Sequence, residues 1–435
     1  MLTSFTSKYA LLIAATGGLL ASQQALADCA PDNPADGATV TCSDADPDGF
    51  DFENADDIEM TVNTGATISG APGNAEAIKL GGSANITVQS GGTIISATND
   101  AVQTEADLVL RNSGTIQSDD KDGINAQEDA SVTITSTGVV LAKDAGVQGE
   151  ARLTVTNLGT ITTTGDAAGK KSSGIRATNR LTAVNFGMIS AAYEGITAEN
   201  RATIVNSGTI TGIDDAIKAG SNTAITNSGV IENVGTPATD PQDAIDIDSG
   251  EINNLQSGVI RSTRDAAIDF DKGNGSGTII NQGTIVGTIG VETDAENTGK
   301  QTIVNNGLIH GTAGVSLNLR GGKDTVTLNE GGRFVGNVNL GKGRDVFTVG
   351  SGSFGNFANK FITNGGDGAN DTLSFSAFSI LNERNVTRVG QGGIYDISLS
   401  SGTSNVVIRF TGFEFFSFKG ITISFAQLME PTNRK

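Results

Sequence analysis

Tryptophan is absent from the 435 residues, histidine occurs once and cysteine twice. A single imidazole, His310, leaves no Ser-His-Asp arrangement to argue and no histidine-based metal site. Lys and Arg together number 28 against 48 acids, for a net charge of -20. A phosphate-binding surface needs clustered cations, so the balance speaks against nucleic acid and nucleotide partners and leaves cations and neutral glycans as the easier ones. No apolar run reaches the roughly 20 residues that span a bilayer. The longest, at 9–21, is broken by Gly17 and Gly18.

That run follows Lys8 and precedes Ala25-Leu26-Ala27, whose small outer residues suit signal peptidase. Residues 1–27 therefore read as a cleavable secretory signal, with export across the inner membrane as the expectation. Cys29 and Cys42 lie just beyond the cut. In an oxidising compartment two nearby thiols most simply pair, and the distant His310 offers no help to a metal site, so a disulfide in an N-terminal cap over 28–60 is expected.

What is abundant is glycine, 58 residues, together with a recurring Asn-x-Gly-x-Ile. NSGTI stands at 112–116 and 206–210, with NLGTI at 157–161, NFGMI at 185–189, NSGVI at 227–231, NQGTI at 281–285 and NNGLI at 305–309. A second motif, Ala or Gly followed by Ile or Val, keeps phase with it. Each unit holds three short β-prone runs of period two, as over 194–215, and is too short for a crossover helix. One unit cannot bury an apolar face alone, but stacked units can. The fold class is all-β: a right-handed parallel β-helix with three strands per coil, about eleven clear coils over 61–320 and irregular coils beyond. In each motif the Ile fills the core, the Asn stacks on its copies as an amide ladder, and the Gly is expected to take a positive-φ turn.

From Phe334 onward the chain holds 13 of its 18 phenylalanines. Residues 321–435 therefore form a Phe- and Gly-rich segment of further coils and a cap that seals the last strand edge, with a membrane-inserting hairpin as the rival reading. Asp324, Asp345 and Asp371 stand in Gly-rich stretches but are 21 and 26 residues apart, not nine. They read as turns of further coils rather than stacked calcium nonapeptides.

The signal-like start, CAPDNPADGATVTC, the repeated NxGxI with DAI or DGI, and GGKDTVTL, DVFTV and NDTLSF together resemble the passenger region of Gram-negative autotransporters. The resemblance implies a pectin-lyase-like β-helix that is secreted or displayed at the cell surface, with the periplasm as the alternative. It implies an adhesive or structural role toward a glycan or protein of a host or neighbouring cell. The usual membrane barrel has no place before Lys435, so the expectation is a truncated or split gene, or retention in the periplasm, or, for surface exposure, an outer-membrane translocator acting in trans.

Two places interrupt the regularity. Outward positions of three successive coils turn acidic, placing Asp246, Asp248, Asp269, Asp271, Glu292 and Asp294 in a two-by-three grid. Six like charges there must hold protons, be solvated or recruit a cation, for which calcium is the natural choice. The same grid supports the alternative function, a polysaccharide lyase or hydrolase, although no catalytic residue is assigned. Insertions over 165–173 and 233–242 are expected to wall a ligand groove containing Lys170, Lys171, Tyr193, Asp214 and Asp215. GDAAGKKS in the first of these is one residue short of a phosphate-binding loop.

Overall fold

The computed structural model describes residues 29–70, 75–165, 172–235, 242–271, 273–350, 356–368, 370–379, 383–401 and 404–430. The signal-like segment and Lys170 and Lys171 lie outside them. The chain forms a β-solenoid of about 13 turns, 58% strand and 1% helix. One coil illustrates all: Arg201–Asn206 on the first face, Thr209–Gly212 on the second and Ile217–Ala219 on the third. Each strand pairs in parallel with its equivalents in the coils before and after. The second and third faces merge into one sheet because Thr284–Thr293 and Leu308–Asn318 run unbroken from one face to the other.

Alternation explains the core. In Arg201–Asn206 every second residue, Ala202, Ile204 and Asn206, is buried. Ile210 and Ile217 complete the inside of the coil, each fully buried, and each such side chain contributes about 1.5–3 kcal/mol of apolar burial. A buried asparagine among them needs partners, and its copies supply them. The side-chain amide of Asn157 donates to Oδ1 of Asn185 at 2.8 Å, and the relay continues through Asn206, Asn227, Asn254 and Asn281 to Asn305 at 2.8–3.0 Å.

The expectation of a positive-φ glycine in the motif is not met. The left-handed glycines do not include Gly208 or its equivalents Gly187 and Gly229. The reason for glycine is contact: a Cβ on Gly208 would lie 2.1 Å from the carbonyl oxygen of Gly187 one coil away. The corner is tight because the chain turns directly onto the preceding corner.

Cys29 and Cys42 are bonded and buried where the first coil begins. At the other end Asp324, Asp345 and Asp371 stack in successive coils. Each accepts a backbone N–H from the residue below through Oδ1, from Gln301, Asp324 and Asp345 at 2.7–2.8 Å, and the amide of Asp371 donates to Oε2 of Glu414 at 2.9 Å. Phe375 then stacks on Phe418, and Phe410, Phe416, Tyr395 and Phe425 pack together beneath antiparallel strands that end the parallel register.

Asn206→Ala removes an acceptor from Asn185 and a donor from Asn227, leaving both buried amides short of a partner. The expected cost is about 2–5 kcal/mol, read from the urea midpoint, against roughly 0.5 kcal/mol or less for the neighbouring exposed Ser207→Ala. Equal effects at the two positions would show that the relay contributes nothing.

Candidate functional site

The third-face strand is entered through an acid two residues before its Ile or Val: Asp100, Asp122, Glu194, Asp215 and Asp243. The acid sits in the corner and serves the next coil. Oδ1 of Asp100 accepts the amide N–H of Asp122 at 3.0 Å, Oδ1 of Asp122 that of Ala145 at 2.6 Å, and Oδ1 of Asp215 that of Asp243 at 2.9 Å. The other oxygen is met by a side chain one residue past the Ile. Asn125 donates to Oδ2 of Asp100 at 2.8 Å, Thr197 to Oε2 of Glu194 at 2.6 Å, and Lys218 approaches Oδ2 of Asp215 at 3.4 Å. Thus an amide, a hydroxyl and an ammonium meet Asp100, Glu194 and Asp215 in turn.

The rule breaks at Asp243. The residue in the partner position is Asp246; in the next coil Ala266 takes the corner position, with Asp265 one residue before it and Asp269 in the partner position. Oδ1 of Asp243 and Oδ1 of Asp269 are buried without a hydrogen-bond partner. Burial, reinforced by the charges of Asp269, Asp215, Asp265 and Asp246, pushes Asp243 up to about 10. Burial and then Asp271, Asp246 and Glu292 push Asp269 up to about 8. Asp246 is lifted by burial and pulled back by Lys218, which leaves it at about 6. Lys218 itself is raised: burial opposes its charge, but Asp246 and Asp215 outweigh that.

Beside this cluster the third face opens into a groove of about 640 Å³. Asp144 and Arg176 line one end, Glu194, Thr197 and Lys218 the middle, and Asp246, Asp248 and Asp271 the other end. Its cations are held by acids of adjacent coils. Arg176 donates to Asp144 at 3.1 Å and to Oε1 of Gln148 at 3.2 Å, and Lys218 bridges Asp215 and Asp246.

The acidic grid is only partly assembled. Asp246, Asp269 and Glu292 stack in register as expected. Asp246 and Asp271 are hydrogen-bonded to each other, and Ser221 donates to Oδ2 of Asp248 at 3.2 Å. Glu292 is claimed by Arg320 and by Asn318 at 2.8 Å, and Asp294 is exposed. Buried carboxyl oxygens without a partner therefore remain at Asp269, within the grid, and at Asp243, outside it. Asp243 and Asp265 were passed over in the sequence because they stand on the near side of the Ile. The signal for them is D-A-I-D followed by D-A-A-I-D.

Of the second set, Tyr193, Asp214 and Asp215 do come together with Glu194. The Tyr193 hydroxyl bonds to the Asp214 carboxylate, which raises the phenol further above its ordinary value. Carboxylate oxygens of Glu194, Asp214 and Asp215 all lie within 4.8 Å of one another. They are already served by Thr197, Tyr193, Lys218 and the Asp243 amide, so protein donors satisfy this trio. Asp215 also belongs to the corner column.

No family model, curated protein or solved structure matches this chain. The class it belongs to is thus defined by its coordinates: a parallel β-solenoid with an acid-lined groove on its third face.

The buried acids give stability a pH dependence. Asp243 and Asp269 titrate near 4 when unfolded and at about 10 and about 8 in the fold. The folded state keeps protons that the unfolded chain gives up, so their contribution is complete below about pH 4 and is lost as pH rises toward the folded values. In the presence of a chelator the urea midpoint is expected to fall between pH 5 and pH 9. Asp243→Asn should flatten that slope and stabilise the protein at pH 9; equal slopes for the two proteins would refute the assignment.

Proposed function

We propose that the protein is an exported, autotransporter-passenger-like binding scaffold that holds a saccharide in the groove from Asp144 to Asp271. The observation that carries this reading is the pair of cations, Arg176 and Lys218, anchored by acids within an open groove. Carboxylates accept from sugar hydroxyls, and the fixed guanidinium and ammonium groups donate to ring and hydroxyl oxygens. Because both cations are tethered before a ligand arrives, little side-chain ordering remains for binding. The regular coils act as the spacer that displays this face to a glycan or glycoprotein of another cell.

Calcium belongs to the same reading. It takes six to eight oxygens, and Asp243 and Asp269 each keep one open beside Asp246. Added Ca²⁺ is expected to raise the melting temperature of the wild type and to do so much less in Asp269→Asn. The same rise in both would remove Asp269 from any cation site.

A polysaccharide lyase or hydrolase is the second reading. What favours it is Asp269, pushed up to about 8, stacked on Asp246 at about 6, an acid and a base on neighbouring coils. One experiment separates the two. On an array of neutral and basic saccharides the wild type should bind and Lys218→Met should lose about tenfold or more in affinity, with every saccharide recovered intact. New reducing ends or unsaturated products that vanish in Asp246→Ala and Asp269→Ala would replace the scaffold with the enzyme, and absence of any saccharide binding would end both readings.

A further inference from the structure

Several cations pair with an acid of a neighbouring coil: Lys79 with Glu53, Lys143 with Asp120 and Arg261 with Glu232. Residues 298–344 depart from this. They hold Lys300, Arg320, Lys323, Arg333, Lys342 and Arg344 against only Asp324 and Glu330. The pairing of Thr302 with Thr325 and of Thr325 with Val346 places Lys300, Lys323 and Arg344 at equivalent positions of three successive coils, about 4.8 Å apart. Gly321 pairs with Lys342 beside them. All four cations are exposed, and none forms an ion pair with an acid among the described residues.

The acids next to them offer little relief. Asp324 and Asp345 are buried in their own column, and burial pushes them up to about 8 and about 7. Stacked like charges on neighbouring strands repel. Arg152, Arg180 and Arg201 also stack, but that column starts on Asp129 and lines neither groove described here. Lys300, Lys323 and Lys342 line a groove of about 420 Å³ with Thr298, Gly322 and Gly343. Its glycines are required by contact: a Cβ on Gly322 would lie 2.3 Å from the carbonyl oxygen of Gly299, and one on Gly343 1.8 Å from that of Gly322. The floor is bare backbone, open to a close-lying chain.

We propose that this groove binds a linear acidic polysaccharide, whose carboxylates or sulfates meet Lys300, Lys323 and Lys342 in the groove and Arg344 beside it. No aromatic residue lines the groove, so it lacks the stacking platform that single-stranded nucleic acid uses. An extended sugar polymer with regularly repeated charge matches a straight cationic column. This site uses coils outside the saccharide groove and does not rest on the function proposed above.

The full chain should bind immobilised heparin, as a sulfated probe, or polygalacturonate, as a carboxylated one, and release it as salt rises. Which of the two binds identifies the anionic group. Lys323→Glu combined with Arg344→Glu should lower affinity about tenfold or more, and Lys300→Ala with Lys342→Ala should weaken it through uncharged side chains should the reversal unfold the chain. Saccharide binding in the other groove is read on the same proteins, so each site is judged separately. Failure of the wild type to bind either polymer, undiminished binding by both variants, or tighter binding of a single-stranded oligonucleotide would overturn the proposal.

Discussion

Everything in this protein follows from strands pairing in parallel and in register with their own equivalents. Once Asn206 sits over Asn185 and under Asn227, every other position of the coil is forced over its counterpart. A sequence position then becomes a column along the solenoid, and the chemistry of a column is the sum of one residue type repeated at strand spacing. Apolar columns fill the core, amide columns satisfy themselves, and charged columns cannot. The places where charge repeats are therefore where the fold is under electrostatic stress and where an outside partner has most to offer.

The fold handles most of that stress internally. Along the corner column Asp100 and Asp215 each accept a backbone N–H from the next coil and meet a side chain one residue past an Ile, while Asp122 takes such an N–H and Glu194 such a side chain. Asp243 in that column and Asp269 past the next Ile each keep a buried oxygen without a partner, and burial with the neighbouring carboxylates raises their proton affinity. Lys300, Lys323 and Arg344 are the cationic counterpart on later coils. The surface therefore carries a local excess of cations over 298–344 despite a net charge of -20.

The repeat made the architecture legible. NxGxI and the phased Ala/Gly-Ile pairs identify inward positions, and the stacking of Asp246 on Asp269 on Glu292 follows from counting. Three things escaped for distinct physical reasons. Which carboxylate oxygen lacks a partner depends on donors from other coils, so Asp243 was hidden while Glu292, paired with Arg320, looked open. The Gly of the motif was assigned to a turn conformation, but it answers to a backbone oxygen contributed by a residue 21 positions earlier, Gly187 against Gly208. Net charge averaged away a local excess of cations over 298–344. The disulfide, by contrast, needed only two cysteines and their neighbourhood.

The asparagine relay has a direction. From Asn157 to Asn281 every amide gives its hydrogen to the coil that follows, and Asn305 passes its own to the carbonyl of Arg333. Bond dipoles aligned head to tail make the stack a polar rod, with unlike ends. A finished coil presents a donor where the next must bring an acceptor, so coils added from the N-terminus onward find a template already oriented.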